Sequence, residues 1–269
     1  MNIKRIKLEV PERHRAFIRV LLVQMPFGQP PWRILHWLVT MTEPDFIVFP
    51  EYAWYGPGEF PSVIEAGKSA YAELCRVSSR WPSFIIGGTF IEKRSGDYYS
   101  FCPLLYRGEE YGRYYKVNPT GVERRRGIQG GDTLVQYQWH CRRFSILICA
   151  DIFRKDLIRQ LGDRGTRLIF VPTASPFRPA DTPQAKYTRD RRFFQAGAEI
   201  IQGVLVKVCG VGRLFEGRFQ GRSLVVTSRQ VLWRAAIEDE SRMILSWVDI
   251  YYEDSSGVHD GEKLKSSDE

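Results

Sequence analysis

Phe144 to Asp156 reads FSILICADIFRKD, and this stretch decides the fold. It opens with an apolar run suited to a buried strand, and Cys149 stands where that run ends. Asp151 follows and the pattern turns polar, so a helix is expected over Asp151 to Leu161. An inert cysteine has little reason to prefer this place. A reactive one does, because a strand end holds a side chain rigidly at a cleft and a nearby helix N-terminus favours the thiolate.

Outward from this point, strands and helices alternate. FIRVLLVQ (Phe17 to Gln24) and DFIVFPE (Asp45 to Glu51) read as buried strands. Between them PWRILHWLVTM fits a short helix begun by Pro31. From Pro61 to Arg80, residues Val63, Ile64, Tyr71, Leu74, Cys75 and Val77 recur at helical spacing. SFIIGGTF is a third strand. YYSFCPLLY and EEYGRYYK form a hairpin pair around Arg107-Gly108, and TLVQYQW pairs with RFSILIC across a second turn. TRLIFVP is a strand and Gln184 to Glu199 is helical. IIQGVLVKVCG, GRSLVVTS, VLWRAA and MILSWVDI close the body as strands. βα units followed by hairpins imply an α/β chain, a mixed sheet system covered by helices. With no internal repeat or linker, the division is a basic N-terminal extension (1–16), one domain (17–251) and a polar C-terminal tail (252–269).

The chain has 269 residues, 43% hydrophobic and 26% charged, with a net charge of +8. That is an ordinary globular balance with room for a sizeable core. The positive charges are scattered, and neither zinc-finger spacing nor an aromatic RNA-binding signature occurs, so nucleic acid is not an expected partner. Five widely spread cysteines without C-x-x-C pairs point to a reducing compartment, hence the cytoplasm. No apolar run approaches about 20 residues, so no membrane span is expected.

If Cys149 is a nucleophile, something must take its proton and something must stabilise an oxyanion. The four histidines, His14, His36, His140 and His259, have weak contexts, although a pair with His140 stays open. Glu51 and Lys116 do better, because each closes a strand. A Glu, a Lys and a Cys at three strand ends suffice for amide cleavage. The Glu takes and returns the proton, the Cys attacks, and the ammonium with a backbone N–H holds the oxyanion.

VLLVQMP, FPEYAWYG, GRYYKVNPTGVE and ILICADIF, with FIIGGTF and GGDTLVQYQWHCRRFSI, resemble in kind and order the motifs of the nitrilase, or carbon-nitrogen hydrolase, superfamily. The resemblance covers about Phe17 to Ile250. It implies a four-layer αββα sandwich with Glu51, Lys116 and Cys149 as catalytic triad. It also implies that Glu123 holds the lysine and positions substrate. Ala150 would stand beside the nucleophile as a supporting residue. No cofactor and no metal is implied, and members associate as homodimers or larger homo-oligomers.

Several positions depart from the family pattern. Ala150-Asp151 stands where true nitrilases carry Trp-Glu, which lowers the nitrile reading. Arg154 and Lys155 replace a Pro-Glu pair, Tyr99-Ser100 replaces Asn-Ser, and QAGAEII keeps Glu199 without the flanking Arg and Asn. The expected activity is therefore an amidohydrolase that cleaves a linear, non-peptide carbon-nitrogen bond of a small-molecule amide through a thioester. Nitriles and N-carbamoyl compounds are the alternatives of the same chemistry. An inactive member retained as an oligomeric binding protein is the alternative of another class.

Each residue also has a plainer reading. Glu123 has Arg124, Arg125 and Arg126 beside it as salt-bridge partners. Arg189, Arg191 and Arg192 suit a salt-bridged helix face as well as a substrate carboxylate. Tyr52, Trp54 and Tyr55 suit a pocket wall or the core. GVGRLFEG mimics a phosphate loop but is not followed by a helical pattern.

Overall fold

The computed structural model of the chain describes residues 1–11 and 15–251; the expected C-terminal tail, His14 and His259 lie outside them. In chain order the first half holds β1 (Asn2–Leu8), β2 (Phe17–Pro26), α1 (Trp32–Thr42), β3 (Phe46–Phe49), α2 (Phe60–Ser78), β4 (Phe84–Gly87), β5 (Phe90–Arg94), β6 (Asp97–Tyr106) and β7 (Glu109–Tyr115). Then come α3 (Gly121–Arg125), β8 (Ile128–Gln129), β9 (Thr133–Trp139), β10 (Arg142–Ile146), α4 (Lys155–Gly162) and β11 (Leu168–Thr173). The remainder is α5 (Pro183–Asp190), α6 (Ala196–Ile201), β12 (Val204–Leu214), β13 (Gly217–Phe219), β14 (Leu224–Thr227), β15 (Val231–Arg234) and β16 (Ile244–Tyr251).

The strands make two sheet halves. One runs β16-β2-β3-β4-β6-β5, with β7 and β8 also on β6. The other runs β1-β9-β10-β11-β12 and continues through β14 to β15. β12 joins them: its first part pairs with β14, and Gly210 and Val211 pair with Met25 and Pro26 of β2.

The period-2 alternation of the strands assigns each face. Val20, Leu22, Phe46, Val48, Phe84 and Ile86 point between the halves, into one core with Phe144 and Phe170. The Phe46 ring lies 5.0 Å from Phe144 and 4.8 Å from Phe170, which is contact across the sandwich. Leu21, Val23, Ile47, Phe49 and Ile85 face the other way, onto Leu35, Leu38 and Val39 of α1 and Leu74 of α2. On the opposite outer face, α4 packs on β9 and α6 on β12. The result is the expected four-layer αββα sandwich.

β2, β3 and β4 are parallel to one another, as are β10, β11 and β12, and the β12–β2 pair is parallel too. The carboxyl ends of both parallel sets therefore lie along one edge. β7, antiparallel to β6, which is antiparallel to β4, ends on that same edge.

Local departures from the expected elements have physical causes. SFIIGGTF is two strands, broken at Gly88 with φ +70°, where a Cβ would stand 2.5 Å from the Pro50 carbonyl. The helix expected from Asp151 is a short 3₁₀ turn over Cys149–Phe153, and α4 begins only at Lys155. The Asp151 carboxylate accepts the Ile148 N–H at 2.9 Å and closes that turn on itself. Ile200 and Ile201 complete α6 rather than starting β12, and Gln202 ends the helix in the left-handed region. The helix expected from Gln184 to Glu199 contains a π turn over Arg191–Gln195.

Candidate active site

Glu51 follows β3 and Pro50 in a tight turn. The turn is seated on the Gly88-Thr89 break, with the Tyr52 N–H donating to Thr89 Oγ1 at 2.8 Å. One Glu51 oxygen accepts the Ala174 N–H at 2.9 Å, just past β11, and the other accepts Lys116 Nζ at 2.7 Å. Lys116 closes β7, and its ammonium also donates to both oxygens of Glu123 at 2.8 Å. Thr120 and Glu123 form a reciprocal capping box at the start of α3. Glu123 therefore begins a helix and fixes the lysine at once. Tyr52 Oη adds a 2.5 Å hydrogen bond to Glu123. Glu51, Lys116 and Glu123 are all buried.

Cys149 leaves the β10 run at the left-handed φ of +46°, a conformation uncommon for a residue with a side chain. Its thiol lies 3.8 Å from the Ala174 carbonyl and lines the same cavity as the Glu51 carboxylate. The turn is held from below. Asp151, fully buried, accepts from Tyr114 Oη at 2.8 Å and the Asn118 N–H at 2.6 Å, while Asn118 Nδ2 donates to the Ala150 carbonyl at 2.8 Å. The cysteine turn is thus tied to the segment that follows Lys116, so the two ends cannot drift apart independently.

The electrostatics follow from burial around one cation. Desolvation raises the Glu51 pKa to about 7, against the pull of Lys116 and with the repulsion of Glu123. Burial opposes the Lys116 charge, but Glu51 and Glu123 overcome it and the ammonium pKa is raised. Glu123 loses its proton more easily than a free carboxylate, since Lys116, Tyr52 and the Thr120 N–H outweigh its desolvation. The Cys149 thiol is pushed well up by burial and by Glu51, with only partial relief from Lys116. The expected thiolate-favouring helix end is therefore corrected: α4 starts six residues on, and burial dominates.

These groups open onto a cavity of about 300 Å³. Glu51, Lys116, Glu123, Cys149 and Ala150 all line it, as does Tyr52. Trp54 instead stacks between Trp32 and Phe90, and the Tyr55 hydroxyl accepts the Ile91 N–H, so both belong to the packed interior. Arg126 pairs with Glu216 rather than with Glu123. Arg189 lines the pocket and pairs with Asp181 at 2.8 Å, whereas Arg191 and Arg192 are exposed. GVGRLFEG is the β12–β13 turn, which contributes Leu214 and Phe215 to the wall. His36 accepts from Trp81, and His140 meets the Val10 carbonyl; neither lines the cavity.

Sequence reasoning missed the Asp151 clamp, the Thr89 seat and a charged group of Lys207, Asp190 and Arg222 on the far wall. Lys207 carried a signal, being a charge inside the apolar run VLVKV; Arg222 carried none. Among the described residues no cluster of three or more His, Cys, Asp or Glu is arranged for a metal ion, and no helix is long and apolar enough to cross a membrane.

Residues 22–250 match the profile of the carbon-nitrogen hydrolase family. The probable hydrolase YhcX of Bacillus subtilis is 30% identical over 139 residues, 48% of this chain and 27% of that protein. The match thus spans about a quarter of the curated relative. Among solved structures, a carbon-nitrogen hydrolase from Helicobacter pylori G27 superposes with TM-score 0.76 at 18% identity, covering 90% of this chain and 92% of that one. A mutant of the Nesterenkonia AN1 amidase from the nitrilase superfamily gives 0.73 at 20%, covering 92% and 95%. A glutamine-dependent NAD+ synthetase from Acinetobacter baumannii gives 0.72 at 19%, covering 93% of this chain and 49% of that one. At these identities the structural likeness is one of fold.

Proposed function

This chain belongs to the carbon-nitrogen hydrolase family, and from that premise we propose that it hydrolyses a linear, non-peptide amide through a thioester on Cys149. One observation carries the reading: a buried lysine bridges two glutamates beside a cysteine on a left-handed turn, all opening on one cavity. Glu51 takes the thiol proton as Sγ bonds to the carbonyl carbon. The raised thiol pKa makes this base necessary, and a Glu51 pKa of about 7 makes its proton easy to give back.

The carbonyl oxygen becomes an oxyanion. The three protons of the Lys116 ammonium face Glu51 and both oxygens of Glu123 in the resting site, and one of them turns from Glu123 to the oxyanion. The Ala150 N–H is the second donor. Glu51 then protonates the nitrogen, the C–N bond breaks, and ammonia or an amine leaves. Water attacks the thioester with Glu51 taking its proton, the C–S bond breaks, the thiol is reprotonated and the acid departs.

Amides are favoured over nitriles because Ala150-Asp151 leaves the nucleophile without the aromatic-and-acid pair of true nitrilases. A panel of small amides and matching nitriles tests this. Ammonia and acid should form from the amides first, and faster nitrile turnover across the panel would overturn it.

The pH dependence has a definite sign. Protonated Glu51 cannot accept the thiol proton, so kcat/KM is low at acid pH and rises through about pH 7 as Glu51 ionises. A profile already flat from pH 5 would remove Glu51 from the role of base.

A further inference from the structure

The far wall of the cavity carries charge that amide hydrolysis does not use. Lys207 on β12, Asp190 at the end of α5 and Arg222 just before β14 all line it, with 1%, 6% and 7% of their surfaces exposed. The single carboxylate serves two cations. One Asp190 oxygen accepts Lys207 Nζ at 3.0 Å and stands 3.5 Å from Arg222 Nη2. Arg222 Nε and Nη1 have no protein acceptor, although both are buried. Arg189 pairs with Asp181 at 2.8 Å, and Asp181 also feels the Arg222 charge, so three cations, Lys207, Arg222 and Arg189, share two carboxylates, Asp190 and Asp181. Lys207 is further settled by the Phe194 ring, 4.9 Å away. Arg222 is left as a buried cation in excess, an arrangement that is costly unless an anion completes it.

We propose that Arg222 receives a carboxylate at the far end of the substrate, so that the pocket selects aliphatic amides bearing a remote carboxylate. This rests on the amidase reading of the same cavity. Topology sets the scale: Cys149 leaves β10, and Arg222 enters β14 on the same edge, beyond β11 and β12. Three strand spacings are about 14 Å of sheet, and because both side chains line the one cavity their own lengths take up part of that span. The remaining gap suits a chain of a few carbons. Phe193, Phe194, Phe215 and Phe219 give that chain an apolar wall. The guanidinium, always charged and rich in donors, suits a planar carboxylate.

The test compares glutaramate, the monoamide of glutaric acid, with uncharged valeramide. A hydrogen bond to a charged group is worth a factor of about 10 to 150. In wild-type protein the ratio of kcat/KM, glutaramate over valeramide, should reach about 100. Arg222→Met should bring that ratio close to one, mainly through KM for glutaramate, and Arg222→Lys should keep part of it. A wild-type ratio at or below one, or a ratio unmoved by Arg222→Met, overturns the proposal.

A second arm needs no turnover. Glutarate should bind Cys149→Ala protein by calorimetry, and adding Arg222→Met should weaken binding at least about tenfold. Arg222-dependent glutarate binding with neither amide hydrolysed would sink the amidase reading and leave the carboxylate site standing. Hydrolysis without preference, and glutarate binding indifferent to Arg222, would do the reverse.

Discussion

Cys149→Ala protein is expected to lose amide turnover by about 10⁴-fold or more while keeping its fold, because the covalent step has no other nucleophile. The structural cost is small. Cys149 is half-buried, its thiol makes one long contact at 3.8 Å to the Ala174 carbonyl, and alanine meets the same left-handed φ with a side chain no larger. The turn itself is held by Asp151 and Asn118, which the replacement does not touch. Ammonia release together with thermal melting checks both halves. Residual turnover within tenfold of wild type in a folded Cys149→Ala protein would refute the role.

Lys116→Met should damage activity and stability together. Removing an oxyanion donor costs about 10²- to 10³-fold in kcat. Breaking a buried ion pair by deleting one partner costs about 3–5 kcal/mol, and here two buried carboxylates lose their common cation. The sign with pH follows. Without Lys116, burial and mutual repulsion hold the folded-state pKa values of Glu51 and Glu123 above their unfolded values. The protonated carboxyls are then the stable native forms, and stability falls as pH rises through those values. The loss of urea midpoint relative to wild type should be larger at pH 8 than at pH 5. Adding Glu51→Gln should recover part of the loss at pH 8. An equal loss at both pH values would show that the two carboxylates are not the source.

The strand ends were readable because their signals are local. An apolar run that stops at Pro50, at Lys116 or at Cys149 marks the edge of a sheet, and the sheet carries each side chain to that edge. Glu123 came only from the resemblance of GRYYKVNPTGVE to the family's lysine motif, and the Thr120–Glu123 capping box in the structure gives its local cause. Other features depend on segments distant in sequence. Asp151 looked like the first turn of a helix, yet its acceptors are filled by Tyr114, Asn118 and Ile148, and that web replaces the helix with a tight turn. Gly88 breaks its strand because the Pro50 carbonyl approaches it. The thiol runs the same way: a helix end can lower a cysteine pKa only where burial and a neighbouring carboxylate do not outweigh it, and at Cys149 they do. Arg222 became visible only when β12 and β14 brought it beside Asp190.

The proposed chemistry turns on a thioester on Cys149, and acid-quenched intact-protein mass spectrometry during turnover of a small amide reads it directly. The expected result is a species heavier than the free enzyme by the acyl group less one hydrogen. That mass should map to the peptide containing Cys149 and be missing from Cys149→Ala protein. Steady amide turnover with no such adduct, or with the acyl group on another residue, would contradict it.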